Sequence, residues 1–155
     1  MKNNILIRSA TEKDVPAILS LIKELANYEK LSDQVIATED ELKKVLFGEN
    51  NFVEILVAEY EKQITGQALF FKNFSTFLGK PGIYLEDLYV KPEMRNKGIG
   101  KALLDKIISL AKERNYGRVE WAVLDWNESA IEFYEKIGAK KLDEWKIFRL
   151  TSDKF

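Results

Sequence analysis

Between Ile83 and Ala111 the chain passes from a strand through a basic turn into a helix, and no other stretch constrains the fold as much. Ile83–Val90 is a short apolar run of the kind that forms a central strand. From Gly98 onward, Ile99, Ala102, Leu103, Ile107, Leu110 and Ala111 make a wide apolar helical face. A strand of this kind needs cover and the helix needs a sheet, so the chain must build a mixed α/β layer structure. The link is Val90-Lys91-Pro92-Glu93-Met94-Arg95-Asn96-Lys97-Gly98-Ile99-Gly100-Lys101. The first amides of a helix lack intrahelical acceptors, and the helix dipole adds partial positive charge there. Glycines let a phosphate approach those amides. Residues 91–101 carry a local net charge of +3, from Lys91, Arg95, Lys97 and Lys101 against Glu93. The turn therefore reads as a pyrophosphate site. The spacings G-x-G-x-x-G and G-x-x-x-x-G-K-[ST] are both absent, so physics alone leaves the ligand open. The bland alternative is a glycine turn that only permits tight packing; Arg95, the basic cluster and the preceding strand weigh against it.

The remaining elements follow from periodicity. Ile5-Leu6-Ile7 predicts a first strand, and Thr11-Glu12-Lys13-Asp14 has capping-box spacing with Asp14 in the acidic position. Val15, Ile18, Leu19, Ile22, Leu25 and Ala26 mark one helix face, with Pro16 pushing its start late. Thr38-Glu39-Asp40-Glu41 is a second capping box, leading a short helix through Leu42, Val45 and Leu46 to Gly48. Val53–Glu59 and Ile64–Lys72 predict a hairpin, and Asn73–Gly82 a loop. Val119, Trp121 and Val123 alternate as a strand, Asn127 caps a helix ended by Gly138, and Trp145–Leu150 predicts a last strand. One domain over residues 1–155 is expected, with no repeat and no linker.

Composition narrows the chemistry. The chain has no cysteine and no histidine. That excludes a thiol nucleophile, thiolate and imidazole metal sites, and the Ser-His-Asp and Cys-His machineries. Acid–base work falls to carboxylates, tyrosine, lysine, the chain terminus or water. With 24 basic and 25 acidic residues the net charge is −1, which argues against a nucleic-acid partner. The longest apolar runs, such as Ala68-Leu69-Phe70-Phe71, have four residues, and Met1-Lys2-Asn3-Asn4 opens no signal-peptide core. No membrane association and a cytoplasmic location are expected.

Arg95-x-x-Gly98-x-Gly100 resembles the [RQ]-x-x-G-x-[GA] motif of the GNAT superfamily of acetyl-CoA-dependent N-acetyltransferases. The likeness extends to Ile7-Arg8-x-Ala10-Thr11, Leu85-Glu86-Asp87-Leu88-Tyr89-Val90 and Asn127-x-x-Ala130-x-x-Phe133-Tyr134-x-x-x-Gly138-Ala139. It is closest to the diamine (spermidine/spermine) acetyltransferase branch. Leu21-Ile22-Lys23-Glu24-Leu25-Ala26-x-Tyr28-Glu29, Gln34-Val35-Ile36, Phe47-Gly48-Glu49 and Trp126-Asn127-Glu128 are similar to segments of that branch. The resemblance implies a GNAT-type α/β (α+β) domain with a mixed, mostly antiparallel sheet flanked by helices, and a homodimer. It implies acetyl-CoA as co-substrate and no metal. Backbone groups of Leu88, Tyr89 and Val90 are expected to hold the pantetheine arm. The turn Arg95, Asn96, Lys97, Gly98, Ile99, Gly100 and Lys101 is expected to hold the pyrophosphate, with Asn127 and Ala130 contacting the cofactor from the opposite side. Tyr134 becomes the general acid, and Tyr28, Glu29 and Glu86 the substrate contacts.

The chemistry of acetyl transfer suits these residue types. A primary alkylammonium, with a pKa near ~10, must lose a proton before it attacks. Glu86 is the candidate base, acting through water; a solvated or lysine-paired carboxylate is the alternative. Strand alternation sends Asp87 to the other sheet face. A backbone N–H near Leu88 is the natural oxyanion donor. The leaving thiolate needs a proton, and Tyr134 is the available donor, although at i+3 from Ile131 a lone helical tyrosine is as readily core. Asn127 is either a cap or a cofactor contact, or both, and Trp121 and Trp126 read as packing. Residues 24–41 carry Glu24, Glu29, Asp33, Glu39, Asp40 and Glu41 against Lys30, a net of −5 suited to a cationic substrate. After Ala139 the branch has a longer acidic segment, whereas this chain has Lys140-Lys141-Leu142-Asp143-Glu144-Trp145. The expected substrate is a small cationic amine, whether diamine, polyamine or thialysine-like amino acid; the shorter segment counts against a long polyamine and leaves a shorter diamine or a lysine-like amino acid such as thialysine open. Acetylation of protein N-termini or lysines, and a non-catalytic acyl-CoA sensor, are the alternatives.

Overall fold

The computed structural model describes residues 4–155; Met1, Lys2 and Asn3, which open the segment read above for a leader, lie outside the described residues. The chain forms a larger unit ending at Ala122 and a smaller one over Val123–Phe155. The larger unit runs β1 (Ile5–Ser9), α1 (Val15–Tyr28), α2 (Glu39–Phe47), β2 (Val53–Tyr60), β3 (Gln63–Ser75), β4 (Lys80–Val90), α3 (Ile99–Glu113) and β5 (Val119–Trp121). The smaller unit holds α4 (Glu128–Lys136). The strands form one sheet in the order β1-β2-β3-β4-β5. All pairings are antiparallel except β4–β5, which is parallel. This is the mixed, mostly antiparallel sheet expected from the sequence.

Local signals explain the helix starts. Thr38 Oγ1 accepts the Glu41 N–H at 3.3 Å, and Glu41 Oε2 accepts the Thr38 N–H at 2.9 Å, completing the capping box of α2. At the first box the Thr11 N–H donates to Asp14 Oδ2 at 2.7 Å, but the turn it opens is a 3-10 turn over Glu12–Asp14. The α-helix itself begins at Val15, which leaves Pro16 in the first turn, where its missing N–H costs no bond.

Two layers cover the sheet. Ile18 of α1 and Leu46 of α2 pack with Ile55, Val57 and Leu69 on one face. On the other face lie Leu56, Ala68, Phe70 and Leu85, with the α3 residues Ile99, Leu103, Leu104 and Ile107 buried as well. A Cβ on Gly66, which shares that second face with Ala68, would come within 3.4 Å of Ile99 Cγ2.

Three expectations are corrected. Asn73–Gly82 is not a loop: β3 runs on to Ser75 and β4 begins at Lys80. Gly82 marks close approach instead, since a Cβ there would lie 2.7 Å from the Arg118 carbonyl oxygen. Pro81 precedes the first residue of β4 that pairs with β5, Ile83, so its missing N–H interrupts no bond there. Val123 lies beyond the end of β5. Trp145–Leu150 forms no strand; it has no ladder partner in its own unit, and Trp145, Ile147, Phe148 and Leu150 are exposed.

Candidate active site

The site begins at an irregularity in β4. Leu69 of β3 faces Asp87 and Phe70 faces Leu85, so Glu86 has no partner opposite it. This is a β-bulge, and it resets the strand's alternation. Ahead of it Leu85 shares a face with Phe70, toward the α3 side, and Glu86 points the other way. Beyond it Asp87 lies opposite Leu69 and Tyr89 opposite Gln67, both on the α1 side. The Gln67 side chain confirms that side, since its Nε2 donates to the Ile18 carbonyl of α1 at 3.2 Å. Glu86 and Asp87 therefore look toward the same side, which corrects the expectation that Asp87 faces away.

The electrostatics follow from this convergence. Burial, together with the charges of Glu86 and Glu29, pushes the Asp87 carboxyl up to about 6. Burial also raises Glu29, at the end of α1. Asp87 thus feels the charges of both Glu86 and Glu29, and its proton is held close to neutrality. Of the other acidic residues in 24–41, Glu24 accepts the Tyr89 hydroxyl at 3.3 Å. Glu39, Asp40 and Glu41 occupy the first turn of α2, where the helix dipole favours them.

β4 is also open along one edge. It pairs with β5 only through Ile83, Tyr84 and Leu85, so from the bulge to Val90 no strand among the described residues lies on that side. Backbone groups of Leu88, Tyr89 and Val90 lie on this unpaired stretch. One of them is engaged: the Val90 carbonyl accepts Arg95 Nε at 3.0 Å.

The turn after β4 has the geometry an anion requires. Pro92–Met94 form a 3-10 turn, and Asn96 and Gly98 adopt left-handed φ of 61° and 80°. Gly98 is the N-cap of α3, and no heavy atom lies within 4 Å of where its Cβ would be. The Ala102 N–H makes a helical bond to the Gly98 carbonyl at 2.9 Å. The amides of Ile99, Gly100 and Lys101 precede it at the positions where a helix supplies no acceptor. Asn96, Lys97 and Gly98 are exposed around this end. These features fit a phosphate-bearing co-substrate. Lys101 is engaged with Asp105 at 2.6 Å, which trims the basic cluster to Lys91, Arg95 and Lys97 against Glu93.

Arg95 departs from a simple phosphate contact. Its guanidinium lies over the Tyr28 ring at 5.0 Å and the Tyr89 ring at 5.4 Å. The side chain thus turns from the glycine turn toward the end of α1. In the smaller unit Asn127 is the N-cap of α4 but makes no capping bond with its side chain; its Oδ1 accepts Ser129 Oγ at 3.4 Å. Ala130 and Tyr134 are half-buried, and the Tyr134 ring lies 5.5 Å from that of Phe133. No residue of α4 is fully buried.

Sequence reasoning missed Asp87 as a member of the site. The adjacent Glu86-Asp87 pair was the available signal, but regular alternation separates its two members.

Residues 17–139 match the acetyltransferase (GNAT) family. The chain is 43% identical, over 97% of its length and 94% of the relative's, to thialysine N-epsilon-acetyltransferase of Sus scrofa. It is 33% identical to L-ornithine N5-acetyltransferase of Arabidopsis thaliana, over 95% of this chain and 84% of that one. An integron cassette protein from the mobile metagenome of V. cholerae superposes with a TM-score of 0.81 at 25% identity, covering 97% of this chain and 94% of that one. The chain therefore belongs to the GNAT family of acetyltransferases, as an amine N-acetyltransferase.

Proposed function

We propose that this protein transfers the acetyl group of acetyl-CoA directly to the terminal primary amine of a short cationic substrate, a diamine or a lysine-like amino acid such as thialysine or ornithine. The observation that carries this reading is the bulge that turns Glu86 and Asp87 to the α1 side beside the open edge of β4, where Asp87 also feels the charge of Glu29. A cation is drawn to these carboxylates, while the anionic co-substrate is drawn to the basic turn a few residues on. The names of the relatives, thialysine and ornithine acetyltransferases, support a substrate of this size.

In the proposed reaction the pantetheine arm lies along Leu88, Tyr89 and Val90. The turn from Arg95 through Asn96, Lys97, Gly98, Ile99, Gly100 and Lys101 holds the pyrophosphate with its backbone, and Asn127 and Ala130 contact the same co-substrate. Tyr28 and Glu29 bind the amine together with Glu86. Glu86, with Asp87 beside it, takes the ammonium proton through water. The free amine then attacks the thioester carbonyl, forming the C–N bond. A backbone N–H near Leu88 stabilises the oxyanion. The C–S bond breaks, and Tyr134 gives the departing thiolate its proton. For Tyr134 the role rests on its motif position and on the absence of histidine and cysteine.

We extend the reading to a single N-acetyltransferase domain over 1–155, cytoplasmic, binding neither nucleic acid nor membrane. A net charge of −1 supports the former. No helix among the described residues is long and apolar enough to cross a membrane. A homodimer is proposed, supported by exposed Trp145, Ile147, Phe148 and Leu150, apolar surface for a second copy to cover. Thiol release from acetyl-CoA across diamines, thialysine, ornithine and N-terminal peptides tests the function. Turnover of the short cationic amines is expected; preference for peptides would replace this reading with protein acetylation.

A further inference from the structure

Arg95 belongs by sequence to the phosphate-binding motif, yet its side chain serves another part of the molecule. The guanidinium lies over two rings, Tyr28 at 5.0 Å and Tyr89 at 5.4 Å, while Nε is fixed to the Val90 carbonyl at 3.0 Å. Tyr28 is the last residue of α1 and the neighbour of Glu29. Tyr89 stands two residues beyond Asp87 on the same side of β4, and its hydroxyl donates to Glu24 of α1. Arg95 therefore joins the two elements that carry these carboxylates.

We infer that Arg95 is a positioning residue for the amine substrate: held at Val90 and lying over Tyr28 and Tyr89, it sets the spacing between Glu29 on α1 and the Glu86–Asp87 pair on β4. The inference rests on the amine-acetyltransferase reading above. A planar guanidinium suits the task, because it can lie against aromatic faces while its edge N–H groups bond a carbonyl. The sign of the effect separates this role from simple charge. Arg95 is a cation beside a site for a cation, so as a bare charge it repels the substrate, and its removal would lower the amine KM. As a positioning residue its removal loosens that spacing and raises that KM. As a phosphate contact its removal would weaken the co-substrate instead.

The test compares wild type, Arg95→Ala, Tyr28→Leu and the double variant. Two quantities are read: amine KM at saturating acetyl-CoA with the best short amine, and CoA Kd by direct titration without amine. The expected result is an amine KM raised about tenfold in Arg95→Ala with CoA Kd changed less than threefold. The double variant is expected within about twofold of Tyr28→Leu alone, because Arg95 works largely through that ring. A lowered or unchanged amine KM overturns the inference. So does a CoA Kd that rises as much as the amine KM, or losses that multiply in the double variant. Absence of turnover by wild type with every amine would instead reject the functional reading on which the inference rests.

Discussion

Replacing Asp87 with asparagine should stabilise the protein and impair it together. Asp87 titrates at about 6 in the folded chain against 3.8 ordinarily, because burial and the charges of Glu86 and Glu29 oppose its ionisation. The folded value is the higher one. The penalty on folding is therefore absent below the unfolded pKa, grows as the pH rises between the two, and is complete above the folded value. At about 1.36 kcal/mol per pKa unit, the full penalty is roughly 3 kcal/mol. Asparagine keeps the shape and removes the charge. Asp87→Asn should then be more stable than wild type by up to about 3 kcal/mol near pH 7.5, and by only about 1 kcal/mol near pH 4.5. For a chain of this size that corresponds to a Tm higher by roughly 6–12 °C at the upper pH. Urea unfolding of both proteins at the two pH values measures the difference, and all other carboxylates except its neighbours largely cancel in the comparison. In the same variant kcat/KM should fall, and the acid limb expected for wild type near pH 6 should move or vanish. A stability difference that is zero, or equal at both pH values, would refute the placement of Asp87 among its like charges.

Other predictions follow from the same geometry. Gly98→Ala meets no atom but forces a side chain into φ +80°, so it should cost about 1 kcal/mol by thermal melting and weaken CoA binding by titration. Tyr134→Phe should lower kcat by tenfold or more with little change in either KM, measured by steady-state thiol release; equal rates remove Tyr134 as the acid. Arg8 holds buried Asp14 at 2.8 Å and Glu59 at 2.9 Å, and the Arg8 bond depresses the Asp14 carboxyl below its ordinary value. The stability from Asp14 is thus present above the ordinary carboxylate pKa and lost as the pH falls through the depressed one. Arg8→Ala should cost about 2 kcal/mol in urea unfolding near neutrality, because it leaves Asp14 with only its Thr11 bonds and no opposing charge, and the cost should shrink in acid.

The fold was legible wherever one face of an element is apolar and the other is not. The α1 stripe from Val15 to Ala26 and the Thr38–Glu41 capping box could be read residue by residue, and both formed. Strand ends were less legible. Gly79, Pro81 and Gly82 read as loop residues, but Gly82 is there because the Arg118 backbone passes too close for any side chain. The alternation of Trp145–Leu150 satisfied the pattern of a strand, but a strand also needs a ladder partner, which a local pattern does not supply. The site was legible in its glycine turn and in Glu86. It was illegible at Asp87 because a bulge arises from the register between two strands, and neither Leu85-Glu86-Asp87 nor Leu69-Phe70 carries a glycine or proline to announce it. Arg95 was legible as a motif member; that its side chain turns to Tyr28 depends on where α1 ends, far away in sequence but adjacent in space.

The central claim is that Glu86 and Asp87 at the β4 bulge, with Glu29 at the end of α1, select a short cationic amine. The most direct measurement is kcat/KM with acetyl-CoA for a matched pair of substrates that both keep the primary amine accepting the acetyl group: a short diamine, and a monoamine of equal length whose second ammonium is replaced by a neutral group. The account predicts that wild type prefers the doubly cationic amine by tenfold or more, and that Glu29→Gln erases most of that preference. Equal kcat/KM for the pair in wild type, or a preference untouched by Glu29→Gln, would contradict it.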